Sequence, residues 1–467
     1  MVVGDIATGT ELLVIGGGPG GYSAAIRAAK KGMDVTLVER DKVGGTCLNY
    51  GCIPAKSLIH AAGFQKSIEH WDSLGIHTEE LDVNFHEIQD WKINVIEKLN
   101  SGVKTVLEQE NVDVKKGEAR FIDGKTVRVG EAHKAEKIEF EKCIIATGSR
   151  PIEIPGLEFD KEGVISSKEL LYLEEVPEDL VVVGGGYIGM EAVTKFCKFG
   201  SNVKIIESES RVLANFEEEI VDNIQESSSC YTAELYTSTN AVEVKEGDRP
   251  VLVAEKDGES LEIEGDYVLV AAGRTPKPVL ENLQIKNADL ESNEDGFIEH
   301  DNQMKASEDI FVIGDAAGTP MLAHKAYMEG KIAAEVASGE NSGMDSEFIP
   351  KVMYTDPEVA VVGLNEDEAR KEYGNVLIGK FSMAHSGRAL TTYGGKGFVK
   401  VVASEDEKLL GVSIVSERAS EMIAEATLAL EMQAYLDDVI YTVHAHPTFA
   451  EGFKEACEDA KDLSVHS

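Results

Sequence analysis

Two cysteines separated by four residues, Cys47 and Cys52 in the stretch GGTCLNYGCIPAK, can close a small disulfide ring and open it again. Such a pair exchanges two electrons with an external dithiol, provided the first sulfur is accessible and ionises to a thiolate. Lys56 lies four residues after Cys52, so on a helix the two share a face. Near the other end of the chain, His446 and Glu451 stand in HAHPTFAE. Imidazole is the side chain best matched to deprotonating a thiol near neutral pH. Thr448 and Glu451 also have the T-x-x-E spacing of a helix capping box, and Pro447 could merely set the turn before that helix. A separation of five residues does not put Glu451 on the helical face of His446, so spacing alone leaves its role open.

Chemistry of this kind needs elements to hold it. Residues 11–15, ELLVI, read as a strand leading into Gly16-x-Gly18-x-x-Gly21. A helix from Tyr22 to about Lys31 and a strand over 34–38, closing at Glu39, complete a βαβ unit. Here the first glycine permits a tight turn, the second lets the backbone approach a pyrophosphate, and the third lets helix and strand pack closely. Glu39, at the expected distance, would accept hydrogen bonds from ribose hydroxyls. The unit recurs over 180–207, with LVVV, then Gly184, Gly186 and Gly189, a helix to about Phe199, and VKII ending at Glu207. One glycine triplet is a weak signal, but strand, triplet, helix and terminal acid coinciding twice predict two dinucleotide folds. A carboxylate at Glu207 would repel a 2′-phosphate, which favours NAD over NADP, and Arg211 reads as a surface salt-bridge residue. Coupling a nicotinamide to a thiol pair calls for a flavin between them, which puts FAD in the first fold.

With 467 residues the chain exceeds one compact core. YVLVAAGRTP closes the inserted second unit, and IFVIGDAAG with a helix starting near Ala323 returns to the first. From about Phe348 the texture changes to the strands EVAVVG, GFVKVV and LLGVSIVS, followed by one helix over SEMIAEATLALEMQAYLDDV. The expected class is α/β, with two Rossmann-like dinucleotide-binding domains and a C-terminal α+β domain. The expected divisions are 1–150 for FAD, 151–272 for NAD, 273–346 as a central region completing the first fold, and 347–467. No run of about 20 apolar residues is present and the start carries no cationic leader, so a cytoplasmic chain without a membrane partner is expected. Asp and Glu number 84 against 45 Lys and Arg, a net charge of −39 spread along the chain. That argues against nucleic acid and reads as a halophilic surface, kept hydrated where salt screens the repulsion. Cys143, Cys197, Cys230 and Cys457 are isolated and read as buried small hydrophobes, and no metal site is expected.

The ordered set GGGPGGY, GGTCLNYGCIPAKSL, ATGSRP, GGGYIGMEA, GRTP, IGDAAG, LAHKAYMEG, TDPEVAVVG and HAHPTFAE resembles the disulfide-dependent flavoprotein reductases over nearly the whole chain. Within them it resembles the branch that oxidises dihydrolipoamide. The resemblance implies that Cys47 exchanges with substrate, that Cys52 is the thiolate against the flavin, and that Lys56 pairs with Glu191 beside the reactive flavin edge. It also implies that His446 is the base, that Glu451 orients it, and that it serves the thiol pair of the other subunit of a homodimer built on the C-terminal domain. His444 is then structural. Thr46, Thr147, Gly148, Asp315, Leu322 and Ala323 would complete the FAD site, with the helix start at Ala323 directed at the pyrimidine ring. Gly273 would join Gly184, Gly186, Gly189 and Glu207 around NAD. Tyr187 has two readings, a cover over the flavin or a packed helix-start tyrosine.

The activity so implied is oxidation of dihydrolipoamide to lipoamide with reduction of NAD. The lipoyl group would come from a lipoyl-bearing acyltransferase of a 2-oxoacid dehydrogenase complex or from a glycine-cleavage system. Two alternatives stand beside it: a related reductase of another disulfide, glutathione-like or mercuric, and a non-catalytic flavoprotein subunit. Glu207 stands where glutathione reductases carry arginines for NADP, and the ending KDLSVHS lacks the C-terminal cysteine pair of mercuric and large thioredoxin reductases. The resemblance is poor over about 222–250, where ESSSCYTAELYTST lacks a glycine turn.

Overall fold

A computed structural model describes residues 7–77, 82–130, 135–231, 234–346 and 348–466. The first strand, Ala7–Ile15, begins ahead of its apolar run because it pairs in parallel along most of its length with Glu136–Ile145. On its other side it pairs with Val35–Glu39, and Asp113–Lys116 forms the edge. Two antiparallel strands, Thr126–Val129 and Ala119–Asp123, extend this sheet. Strand Ile310–Val312 joins it in parallel at Cys143–Ile145, so the chain leaves the first fold and later returns to it. The helix Pro19–Lys30 opens on proline, whose missing N–H costs nothing at that position. It packs against the helix Ala323–Ala337 so closely that a Cβ on Gly330 would lie 2.4 Å from the Gly20 carbonyl oxygen.

The second fold is a parallel sheet in the order 235–236, 202–206, 179–183, 267–270 and 164–165, beside a three-stranded antiparallel meander over 240–264. Its central strand, Asp179–Val183, is buried on both faces, which explains the unbroken apolar run LVVV. The C-terminal region is an antiparallel sheet ordered 351–353, 358–363, 409–416, 398–404 and 376–382, covered by the helices Ala419–Glu431 and Glu451–Asp459. The molecule is therefore α/β with two doubly wound parallel folds and a separate antiparallel core. Among the described residues no helix is long and apolar enough to cross a membrane.

Two expectations need correction. The stretch 420–439 is not one helix: it stops at Glu431, and a second begins at Leu436. Gln433 turns through φ 55°, and Leu409 N–H donates to the Ala434 carbonyl, so the sheet claims the backbone where a helix would continue. Cys197 and Cys230 are not isolated. A disulfide joins them with a Cα–Cα distance of 6.0 Å, whereas Cys143 and Cys457 are fully buried thiols. The pairing fixes the stretch that lacked a glycine turn: the helix Glu218–Ser227 ends, and a 3₁₀ turn at Ser229–Tyr231 carries Cys230 back to the helix Tyr187–Phe199.

Candidate active site

Cys47 lies in the short helix Gly45–Tyr50, and Cys52 is the first residue of the helix Cys52–Ser67, the two being broken apart at Gly51. Placing Cys52 at a helix N-terminus favours its anion. The two side chains hydrogen-bond, and the pair shares one proton unequally. The bond from Cys47 lowers Cys52 against the opposing effect of burial, with the nearby Lys56 ammonium assisting. The same bond, together with burial, raises Cys47. In the reduced pair the proton therefore rests on Cys47 and the negative charge on Cys52.

Lys56 and Glu191 come from different folds and meet at 3.0 Å to each carboxylate oxygen. Burial acts to lower Lys56, but the Glu191 charge outweighs it and the net direction is up. Glu191 is only 5 % exposed and also accepts the Tyr354 N–H at 3.2 Å, while the Lys56 ammonium stands 4.3 Å from the Tyr354 ring centroid. Tyr354, from the C-terminal region, escapes sequence reading because no local motif carries it. Lys195 escapes it too, although a lysine one turn beyond Glu191, on the same helical face, was a visible signal. It is 3 % exposed, lines the same cavity, and has no hydrogen-bond or ion-pair partner among the described residues. Burial pulls it down to about 8.

These groups open into one cavity of about 450 Å³. Gly16, Gly18, Glu39 and Thr46 line one part, Thr147, Gly148, Asp315 and Ala323 another, and Cys47, Cys52, Lys56 and Glu191 the reactive part. The fit to a dinucleotide is specific. A Cβ on Gly18 would meet nothing closer than 4.0 Å, leaving room for phosphate, whereas one on Gly21 would fall 1.8 Å from the Gly16 carbonyl oxygen. The Thr147 hydroxyl is buried without a hydrogen-bond partner among the described residues, as expected of a group that meets a ligand. Ser149 donates to Asp315 and accepts from Arg274 Nε at 2.8 Å, which fixes the Asp315 carboxylate at the cavity wall. Leu322 caps the helix that Ala323 begins, but its side chain is not among the cavity lining.

The second fingerprint repeats the first in detail. Gly186 has open space at its Cβ position, and a Cβ on Gly189 would lie 2.0 Å from the Gly184 carbonyl oxygen. Glu39 and Glu207 each accept the amide of the fingerprint's second residue, at 2.7 Å from Gly17 and 2.6 Å from Gly185. Gly184, Gly186, Gly189, Glu207 and Gly273 lie outside the 450 Å³ cavity, whereas Tyr187 lines its edge and is half exposed. Arg211 makes no salt bridge among the described residues. Its guanidinium instead donates to the carbonyls of Ala214 and Phe216, which holds the charge on that loop.

His446 does not line the cavity; its side chain is 80 % exposed, with Nδ1 2.9 Å from Glu451 Oε1. The other carboxylate oxygen accepts the Thr448 N–H at 2.7 Å. The expected capping box does not form: the helix begins at Glu451 itself with Ala450 at its N-cap, and the Thr448 hydroxyl donates back to the Ala445 carbonyl. His444 is fixed between Glu425 and the Thr442 carbonyl, a structural placement.

Residues 10–330 match the family described as pyridine nucleotide-disulphide oxidoreductase, and residues 349–457 match its dimerisation domain, which supports a homodimer. A dihydrolipoyl dehydrogenase of Haloferax volcanii is 45 % identical over 100 % of this chain and 99 % of its own length. One from Geobacillus stearothermophilus is 43 % identical with the same coverage. Among solved structures, the Cu(II) complex of the HOCl-induced flavoprotein disulfide reductase RclA of Escherichia coli superposes with a TM-score of 0.86. It is 25 % identical over 97 % of this chain and 99 % of that one. LpdA of Mycobacterium tuberculosis, 23 % identical with a TM-score of 0.89 over 98 % and 100 % of the two chains, shares the fold. With a redox-spaced thiol pair in a dinucleotide cradle and both family regions matched, the chain belongs to the pyridine nucleotide-disulphide oxidoreductase family.

Proposed function

We propose that this protein is a dihydrolipoyl dehydrogenase, converting dihydrolipoamide and NAD⁺ to lipoamide, NADH and a proton. The observation that carries this reading is the gathering of Cys47, Cys52 and the Lys56–Glu191 pair in one dinucleotide cradle, in a chain whose full-length relatives carry that name. FAD held in the first fold supplies the two-electron carrier between the thiol pair and NAD. Gly16, Gly18, Gly21, Glu39, Thr46, Thr147, Gly148, Asp315, Leu322 and Ala323 hold it, and Gly184, Gly186, Gly189, Glu207 and Gly273 hold NAD. The divisions at 150, 272 and 346 separate the FAD, NAD and central regions from the dimerisation domain.

A substrate thiolate attacks Sγ of Cys47 in the oxidised pair, and Cys52 leaves as a thiolate. The second substrate sulfur then displaces Cys47, which closes the cyclic disulfide and leaves two electrons on the pair. Cys52 is the better leaving group because the helix N-terminus and Lys56 stabilise its anion. His446 takes the substrate proton, and Glu451 holds its Nδ1 so that Nε2 faces outward. Since His446 stands exposed and away from its own thiols, the base for each pair is His446 of the partner subunit. The exposed apolar side chains of Leu428, Met432, Tyr441 and Val443 on the same region support a covered dimer face there. The lipoyl group belongs to an acyltransferase of a 2-oxoacid dehydrogenase complex or to a glycine-cleavage protein.

The test is Cys47→Ser. Lipoamide turnover should vanish while flavin stays bound and remains reducible by NADH; retained turnover would refute the role. Dihydrolipoamide, glutathione and thioredoxin compared anaerobically with NAD and NADP should give fast reduction only for dihydrolipoamide with NAD.

A further inference from the structure

The disulfide between Cys197 and Cys230 sits where the second fold meets the C-terminal region. Cys197 is near the end of the helix Tyr187–Phe199, which begins at the second fingerprint and carries Glu191. Cys230 lies in the 3₁₀ turn Ser229–Tyr231. Both residues are half-buried at the edge of the second fold's core and not fully enclosed. Around the bond, polar contacts converge on the backbone at Asp356. The Tyr231 hydroxyl meets the Thr194 hydroxyl at 2.9 Å and accepts the Asp356 N–H at 3.0 Å. The Ser227 hydroxyl donates to the Asp356 carbonyl at 2.8 Å, and Lys198 pairs with the Asp356 carboxylate at 2.6 Å. Two residues before Asp356, the Tyr354 N–H donates to Glu191. The disulfide therefore closes a 33-residue separation at the point where the turn, the helix and the 354–356 segment are held together.

We propose that Cys197–Cys230 is a second thiol–disulfide site, separate from Cys47–Cys52, that takes small vicinal dithiols and staples the turn Ser229–Tyr231 to the helix Tyr187–Phe199, the two elements that hold the Asp356 segment of the C-terminal region. The exchange balances in two steps. A thiolate of the dithiol attacks one sulfur of the bond and releases the other as a thiolate, forming a mixed disulfide. The second thiol of the reagent then displaces the protein sulfur, leaving a cyclic disulfide and two protein thiols, with protons drawn from the dithiol. Reduction frees the turn from the helix, and the contacts at Asp356 must then hold it without covalent help. Loss of a cross-link of this span lowers the melting temperature by roughly 4 °C.

The experiment uses the flavin-loaded enzyme and dithiothreitol as the probe. Denaturation in iodoacetamide without reductant, followed by peptide mass spectrometry, should give a peptide linking Cys197 to Cys230. Recovery of both cysteines fully alkylated would overturn the assignment. Titration with dithiothreitol before alkylation should label both residues in parallel and lower the melting temperature. The double variant C197S/C230S should melt at the reduced value and be indifferent to dithiothreitol, which separates this bond from Cys47–Cys52. A wild-type melting point unmoved by dithiothreitol, although both residues become labelled, would refute the staple. Bonds that resist the dithiol entirely would refute the exchange. Should the variant fail to fold, the wild-type titration alone decides.

Discussion

Replacing Lys195 by Met should stabilise this enzyme. The side chain is 3 % exposed and lacks a partner among the described residues, and burial moves its ionisation from 10.5 to about 8. At about 1.4 kcal/mol per pH unit, that fall corresponds to a cost of about 3 kcal/mol in the folded protein near neutral pH. The sign follows from proton counting. The unfolded chain keeps its proton up to about 10.5 and the folded protein releases it near 8, so the unfolded state binds more protons between those values. Wild-type stability attributable to Lys195 is lowest below about 8 and recovers as pH rises towards 10.5. Methionine matches the length and flexibility of the lysine stem and carries no charge. Differential scanning fluorimetry of the flavin-loaded proteins should show the variant melting higher by roughly 3 °C at pH 7, with the gap narrowing by pH 10. A variant that melts lower, or a gap that stays flat across that range, would refute the reasoning.

In a purified heterodimer of one Cys47→Ser and one His446→Ala subunit, one thiol pair faces an intact base. Such a heterodimer should show about half of wild-type lipoamide turnover where either homodimer has lost a factor of about 100 or more, and an inactive heterodimer would place the base in the same subunit. Lys56→Met removes a cation that lowers Cys52, so the thiolate absorption of the two-electron-reduced enzyme should titrate at higher pH. An unmoved titration would exclude Lys56 as its electrostatic partner. With a net charge of −39, the protein should melt at higher temperature in multimolar KCl than in dilute buffer, and equal melting points would sink the halophilic reading.

What could be read in advance was whatever a few consecutive residues settle. Both glycine fingerprints were legible because the close approach of Gly21 to Gly16, and of Gly189 to Gly184, is fixed by neighbours in sequence. Cys52 and Lys56 were legible as one helical face for the same reason. The helix over 420–439 was misread because its break depends on a remote strand: Leu409 takes the Ala434 carbonyl, a competition that helical periodicity does not record. Arg211 was misread as a salt-bridge residue because the carbonyls that hold it belong to a loop whose path the composition does not specify.

The sequence by itself determined two dinucleotide cradles, a redox-spaced thiol pair and an acidic surface, since each rests on local spacing or on composition. Only the tertiary structure decided which distant groups meet. It brings Glu191 onto Lys56, sets Tyr354 against both, binds Cys197 to Cys230, leaves Lys195 buried without a hydrogen-bond or ion-pair partner among the described residues, and turns His446 away from its own thiols. The reason is physical: hydrogen bonds, ion pairs and disulfides act over a few ångströms, and residues far apart in the chain come within that range only through the packing of whole folds.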